Sequence, residues 1–217
     1  MSTAPPAAIS RSLFIFSILY GGMTCIAGVL GNKLVALGPL AVEAGIFAFL
    51  ILVVISSAVA ELQGRETANR LVLYGFLPLV VSMVLIRLVL ALPPAPFWPD
   101  GKREAFRLIL DQSSRMMLAG MIAYGISQLL NVYIFTRLKR IGGALLWARS
   151  MVAGVLSQAI DTLIFITVAF YGVEPIELIL PGQLLAKVVL SAILVPPLII
   201  LAVAAGRSLD RKGSAAG

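Results

Sequence analysis

The sequence predicts an all-α integral membrane protein that crosses the bilayer six times as one polytopic domain, with an internal repeat of the inverted type. Three observations carry this reading. Hydrophobic residues make up 60% of the 217-residue chain and charged ones 12%, with a mean hydropathy of +1.02; a soluble domain carries about 25% charged residues. The apolar residues gather into runs close to the roughly 20 needed to cross a bilayer as a helix. Finally, one polar motif occurs in two neighbouring runs.

The runs fall at 12–31, 39–60, 70–92, 113–136, 145–171 and 177–205. Pro5 and Pro6 precede the first, with Arg11 at its edge and no cleavage pattern ahead of a polar start, so it reads as a retained helix and not a removed signal peptide. Its Gly21, Gly22, Gly28 and Gly31 suit close helix approach. The second span has Glu43 and Glu61 near opposite ends, where partial hydration is available. In the third, Pro78 is expected to bend the helix and Arg87 is placed to snorkel. The stretch Pro93-Pro94-Ala95-Pro96-Phe97-Trp98-Pro99 reads as a stiff interfacial strap with Phe97 and Trp98 at headgroup depth. From Lys102 to Gln112, Phe106, Ile109 and Leu110 recur at helical spacing, as a short surface helix or as the projecting start of the fourth span. Pro196-Pro197 should bend the last span.

Lysine and arginine set the expected orientation. Arg11, Arg65, Arg70, Arg137, Lys139, Arg140, Arg149, Arg207, Arg211 and Lys212 fall on one side, against Lys33, Lys102, Arg103, Arg107 and Arg115 on the other. Both termini are therefore expected in the cytoplasm. The net charge of +7 follows from this bias and from contact with anionic lipid, with no nucleic-acid partner implied.

Several function classes drop out. The chain has no histidine, which removes Ser-His catalysis and His-based zinc sites. Its single cysteine, Cys25, allows neither an internal disulfide nor a thiolate metal cluster. No phosphate-binding GxxxxGK[ST] occurs, so energy for any movement of solute comes from a gradient or a partner. No cofactor or metal is expected.

The repeated motif is Ser127-Gln128-Leu129-Leu130-Asn131-Val132-Tyr133-Ile134-Phe135 in the fourth span and Ser157-Gln158-Ala159-Ile160-Asp161-Thr162-Leu163-Ile164-Phe165 in the fifth. Consecutive spans run in opposite directions, so the copies are expected to be related by an axis in the membrane plane, as in transporters built from inverted repeats. In each copy the Ser, the Gln and the Asn or Asp share one helix face. A carboxylate at the centre of a span costs roughly 2.5–3.5 kcal/mol on insertion scales, so Asp161 needs a partner. Lys187 lies at matching depth on the sixth span, about 15 Å from the outer boundary at 1.5 Å per residue, and a Lys187–Asp161 pair is available near the midplane. Arg115 and Arg149 stand near the starts of the two repeat helices on opposite sides, as topology determinants or as gates.

A carboxylate accepts two parallel N–H bonds, amides offer donor and acceptor, and aromatic rings offer flat faces. Asp161 with Gln128, Gln158, Asn131, Phe165 and Tyr133 therefore suits a small planar, donor-rich solute. Composition does not choose between a guanine-like base and another polar solute.

The run Arg115-Met-Met-Leu-Ala-Gly-Met-Ile-Ala-Tyr-Gly-Ile-Ser-Gln-Leu-Leu-Asn131, then Trp147-Ala-Arg149, then Ser157-Gln158-x-x-Asp161-Thr162-x-x-Phe165 with Ala169-Phe170-Tyr171-Gly172, resembles the queuosine precursor transporter family, also called the vitamin uptake transporter family. Lys187 before Pro196 and Pro197, Asn32, and Glu61-x-x-Gly64 fit the same pattern. Asn131 and Ser57 stand where aspartate is common in that family. The resemblance implies a six-helix inner-membrane importer of 7-cyano-7-deazaguanine or 7-aminomethyl-7-deazaguanine for transfer-RNA modification. Ser127, Gln128, Asn131, Ser157, Gln158, Asp161, Phe165 and Lys187 are the candidate solute contacts. A homo-oligomer is compatible with such a chain. Another reading is the substrate-binding membrane subunit of an energy-coupling-factor importer. An intramembrane enzyme would have Asp161 with Lys187 as its acid-base pair, and lacks a nucleophile elbow, a metal set or a second midplane carboxylate to go with it.

Overall fold

The computed structural model describes residues 9–38, 40–111, 114–142, 145–172 and 176–214. Pro5, Pro6 and Gln112 lie outside the described residues. The elements run α1 (Arg11–Leu30), β1 (Leu34–Leu37), β2 (Leu40–Glu43), α2 (Gly45–Gln63), α3 (Arg65–Tyr74), α4 (Phe76–Ala91), α5 (Asp100–Leu110), α6 (Ser114–Gly142), α7 (Leu146–Phe170) and α8 (Ile176–Ser214). Among the described residues six stretches are long and apolar enough to cross a membrane: Arg11–Leu30, Gly45–Gln63, Arg65–Ala91, Asp100–Lys139, Leu146–Phe170 and Ile179–Lys212. The expected count of six spans holds.

The central helix is α2, which packs against α1, α3, α6 and α8 and buries Leu52, Val53, Ser56, Ser57, Ala58 and Val59. Its first turn touches the end of α1: a Cβ on Gly45 would sit 2.9 Å from the carbonyl oxygen of Ala27 and 3.2 Å from Gly31 Cα. Close approach therefore occurs at Gly31, whereas a Cβ on Gly22 or Gly28 would meet nothing within 4 Å. α4 lies at the other extreme, with no buried residue. Its Leu77, Val81, Leu85 and Leu88 form an outward apolar row at helical spacing, the surface that bilayer hydrocarbon covers.

Two boundaries differ from the sequence reading. The second span was expected from 39, but 40–43 form a strand that pairs antiparallel with β1, Leu34 opposite Glu43, and the helix begins at Gly45. An apolar strand and an apolar helix have the same hydropathy. What separates them is the turn between the strands, where Gly38 takes φ +59°, a conformation open to glycine at little cost. The third span starts earlier, at Arg65, and divides into α3 and α4 at Gly75. The division falls three residues before Pro78, which sits in the first turn of α4, where its missing N–H has no intrahelical partner to lose. There the Tyr20 and Tyr124 hydroxyls lie 2.8 Å apart. A Cβ on Gly75 would come within 2.6 Å of Tyr20 Cε1, so glycine lets α1 and α6 close on this bend. α8 continues through Pro181, Pro196 and Pro197 as one helix.

The segment after the proline strap is a separate surface helix, α5, ending at Asp111. Phe97 is exposed, and Trp98 packs edge-on against Phe106 at 5.8 Å. Arg87 bonds Asp111 at 2.7 Å, so its charge ties the end of α4 to the end of α5. The start of α1 also meets the end of α8. The Ser12 backbone N–H and hydroxyl both donate to the Asp210 carboxylate, at 2.9 and 2.8 Å, so a residue of α8 satisfies the first turn of α1.

Candidate functional site

α7 places Asp161 and Phe165 one turn apart on one face, and α8 brings Lys187 against them. Lys187 Nζ lies 3.4 Å from Asp161 Oδ2, with the side chains 5% and 6% exposed, so the pair is shielded from bulk water. The other carboxylate oxygen, Oδ1, accepts from Ser127 Oγ on α6 at 3.0 Å. Lys187 Nζ also stands 5.9 Å from the Phe165 ring centroid, within cation–π range. The sequence-expected pair thus forms, from two neighbouring helices.

Asp161, Phe165 and Lys187 line a cavity of about 130 Å³. Roughly 10–15 Å³ of such space holds one water, so a small organic solute fits. The walls come from α1 (Cys25, Gly28) and the turn after it (Asn32), α2 (Phe49, Leu52), α4 (Leu79, Met83, Ile86), α5 (Ile109, Leu110) and α6 (Met116, Met117, Met121, Tyr124), with Glu43 from the hairpin. Flexible methionines among aromatic and aliphatic groups make an adaptable wall, and a few polar groups in an apolar concavity are the usual makeup of a ligand site. The lining residues lie toward the C-terminal end of α1 and the N-terminal end of α6, away from the chain ends.

The remaining sequence candidates occupy a buried layer next to the cavity. Asn131 Nδ2 donates to Ser57 Oγ at 2.9 Å and Ser56 Oγ at 3.3 Å, and Ser56 Oγ donates to Gln128 Oε1 at 3.2 Å. Ser157 donates to the Gly154 carbonyl on its own helix at 3.0 Å. Asn131 Oδ1 and Gln158 Oε1 are buried acceptors that no described donor reaches. Ser127, Asp161, Phe165 and Lys187 come together at the cavity or one bond behind it. Gln128, Asn131, Ser157 and Gln158 sit among the helices, and Tyr133 is half exposed with Arg65 over its ring. Glu43 and the methionine wall were missed as site residues. The Gly38-Pro39 turn before Leu40-Ala41-Val42-Glu43 is the signal that could have brought Glu43 in.

The two arginines differ in role. Arg149 is buried, bonds Glu61 Oε2 at 3.1 Å and lies 4.8 Å over the Phe135 ring; Lys139 reaches the same oxygen at 3.1 Å. This cluster closes the bundle at the end where the chain termini lie. Arg115, at the opposite end, donates to the carbonyls of Val168 and Tyr171 at 2.7 and 2.6 Å, satisfying the last turn of α7. Glu61 is thus an ion-paired residue and more than a hydrated span end.

A bundle of six helices long and apolar enough to cross a membrane, around a cavity with a shielded ion pair, defines an integral membrane protein with a solute-sized site. The chain belongs to the family described as "Putative vitamin uptake transporter", whose model matches residues 43–201. It is 33% identical over 119 residues to a protein of Bacillus subtilis (strain 168) described as "Probable queuosine precursor transporter". That match covers 54% of this chain and 51% of the relative, so the chain spans about half the length of the curated relative it matches. No solved structure matches the chain.

Proposed function

We propose that the protein imports a queuosine precursor, 7-cyano-7-deazaguanine or its aminomethyl relative, across the inner membrane, with both termini in the cytoplasm. The observation that carries this is the Asp161 carboxylate at the cavity wall. Its 3.4 Å contact with Lys187 is longer than the roughly 2.7–2.9 Å of a strong charge-assisted bond, which leaves lone pairs for a solute. A guanine-like base presents an adjacent ring N–H and amino group, a match for a carboxylate edge, and Phe165 supplies a stacking face. The name of the Bacillus relative supports the same reading.

The layout supports alternating access, with the cavity opening beside α5 on the entry side and the Glu61–Arg149–Lys139 cluster closing the exit. Ser127, Gln128, Asn131, Ser157 and Gln158 are the polar groups a solute meets on its way inward, and the unpaired acceptors of Asn131 and Gln158 are the ones it would satisfy. Arg149 is the inner gate and Arg115 the anchor of the outer end of α7.

Uptake of the two deazapurines and of guanine by the purified chain in liposomes tests this. Saturable uptake of a deazapurine, competed by the other and reduced in Asp161→Asn, is expected. Uptake of neither overturns the substrate assignment, and uptake only when partner ATPases are added assigns the chain to the energy-coupling-factor class.

A further inference from the structure

The charged lining of the cavity is Glu43, Asp161 and Lys187, two carboxylates and one ammonium. Asp161 and Lys187 neutralise each other, and Ser127 takes the second oxygen of Asp161. Glu43 comes from a third element. It is the last residue of β2, its backbone set by the pairing with Leu34, by the Ala44 N–H to Lys33 carbonyl bond at 2.8 Å, and by packing of β2 on α8. Among the described residues no hydrogen bond or ion pair holds its carboxylate. Burial pushes the Glu43 pKa up, Lys187 pulls against that and Asp161 adds to it. The other titratable groups lining the cavity are Cys25 and Tyr124, which bring no positive charge. A partly buried carboxylate that no bonded partner holds is costly as an anion, and a cation arriving with the solute lowers that cost.

We propose that Glu43 is the counter-charge for a protonated amino group on the solute, so that the cavity prefers a planar base bearing an aminomethyl group to the same base bearing an uncharged nitrile. This rests on the deazapurine reading above and adds to it the charge of the solute. Asp161 and Phe165 hold the ring, and Glu43, on the hairpin side, holds the substituent. Loss of Glu43 therefore touches one solute and spares the other.

The test is equilibrium binding of 7-aminomethyl-7-deazaguanine and 7-cyano-7-deazaguanine to the purified full chain in detergent, as wild type, Glu43→Gln and Glu43→Asp. The aminomethyl base is expected to bind the wild type at least about tenfold more tightly, the lower end of what a hydrogen bond to a charged group contributes. That ratio should fall to near unity in Glu43→Gln, through the aminomethyl base alone, and persist in Glu43→Asp. Equal affinities in the wild type, or a ratio unmoved by Glu43→Gln, overturn the role of Glu43 and leave the deazapurine reading standing. Should Glu43→Gln not fold, the wild-type ratio still decides. Binding of neither base by the folded wild type overturns the deazapurine reading and this inference with it. If the neutral base instead binds more tightly as pH falls, and Glu43→Gln abolishes that dependence, Glu43 carries a proton and the proposal is wrong.

Discussion

Ser127 on α6 donates its hydroxyl to Asp161 Oδ1 on α7 at 3.0 Å, joining the serine of one copy of the repeated motif to the carboxylate of the other. The matching residues are spent differently: Ser157 bonds its own helix at Gly154, and Asn131 turns to Ser57 on α2. Charge explains the difference. A neutral amide can spend its N–H group on hydroxyls within the helix interface, as Asn131 does, whereas a buried carboxylate needs a cation. Lys187 stands only on the Asp161 side, at the cavity.

Asp161→Asn keeps the shape and the Ser127 bond but leaves Lys187 buried without a counter-charge. Removing one partner of a buried pair costs about 3–5 kcal/mol, so the melting temperature in detergent should drop. Adding Lys187→Met should restore most of it. Uptake should stay at least about tenfold down in both variants, the scale of a lost bond to a charged group; recovery of uptake in the double variant would make the pair purely structural.

Gly28 lines the cavity, and a Cβ there meets nothing within 4 Å. Gly28→Leu should carry its side chain into the cavity from a position where the Cβ itself is uncrowded, and replacing glycine in a helix gains up to about 1 kcal/mol of propensity. The expected result is an unchanged or raised melting temperature with solute binding lost. Binding at wild-type affinity would move the site elsewhere.

Cys25 is the chain's one cysteine and lines the cavity, so it reports on access without an engineered thiol. A water-soluble maleimide should label it from the mouth side, and bound solute should slow labelling several-fold. Arg149→Met, which removes the bond to Glu61 and the contact with Phe135, should favour opening at the opposite end and lower the labelling rate. A rate unaffected by Arg149→Met would deny that cluster a gating role.

Glu43 also predicts a pH dependence of stability. Its folded pKa is raised above the ordinary 4.5 by burial, so the folded state holds the proton more tightly than the unfolded one. The stabilisation is present below the ordinary value and is lost as pH rises through the raised value. The melting temperature of the solute-free protein should therefore fall as pH rises above the ordinary carboxylate value through the raised one, and Glu43→Gln should flatten that slope. Equal slopes in the two proteins would place Glu43 in contact with solvent.

Much of this was legible in the sequence. Hydropathy found all six spans, because a helix in hydrocarbon must be apolar for most of its length. The cost of a charge at that depth picked out Asp161 and Lys187. The hairpin was hidden because 40–43 are as apolar as the helix they precede, and Glu43 passed for a span-end charge for the same reason. The shared helix face of Ser127, Gln128 and Asn131 was visible, but its division between the cavity and α2 was not. It depends on Ser56 and Ser57, which supply the partners of Gln128 and Asn131 from a helix far away in sequence.

The bond from Ser12 to Asp210 joins residues 198 positions apart. Both donors of Ser12, its backbone N–H and its hydroxyl, end on one carboxylate, so Asp210 is a clasp between α1 and α8. Any motion that swings α8 away from α1 has to strip two charge-assisted bonds, and the joined ends of these two helices are expected to travel as one body.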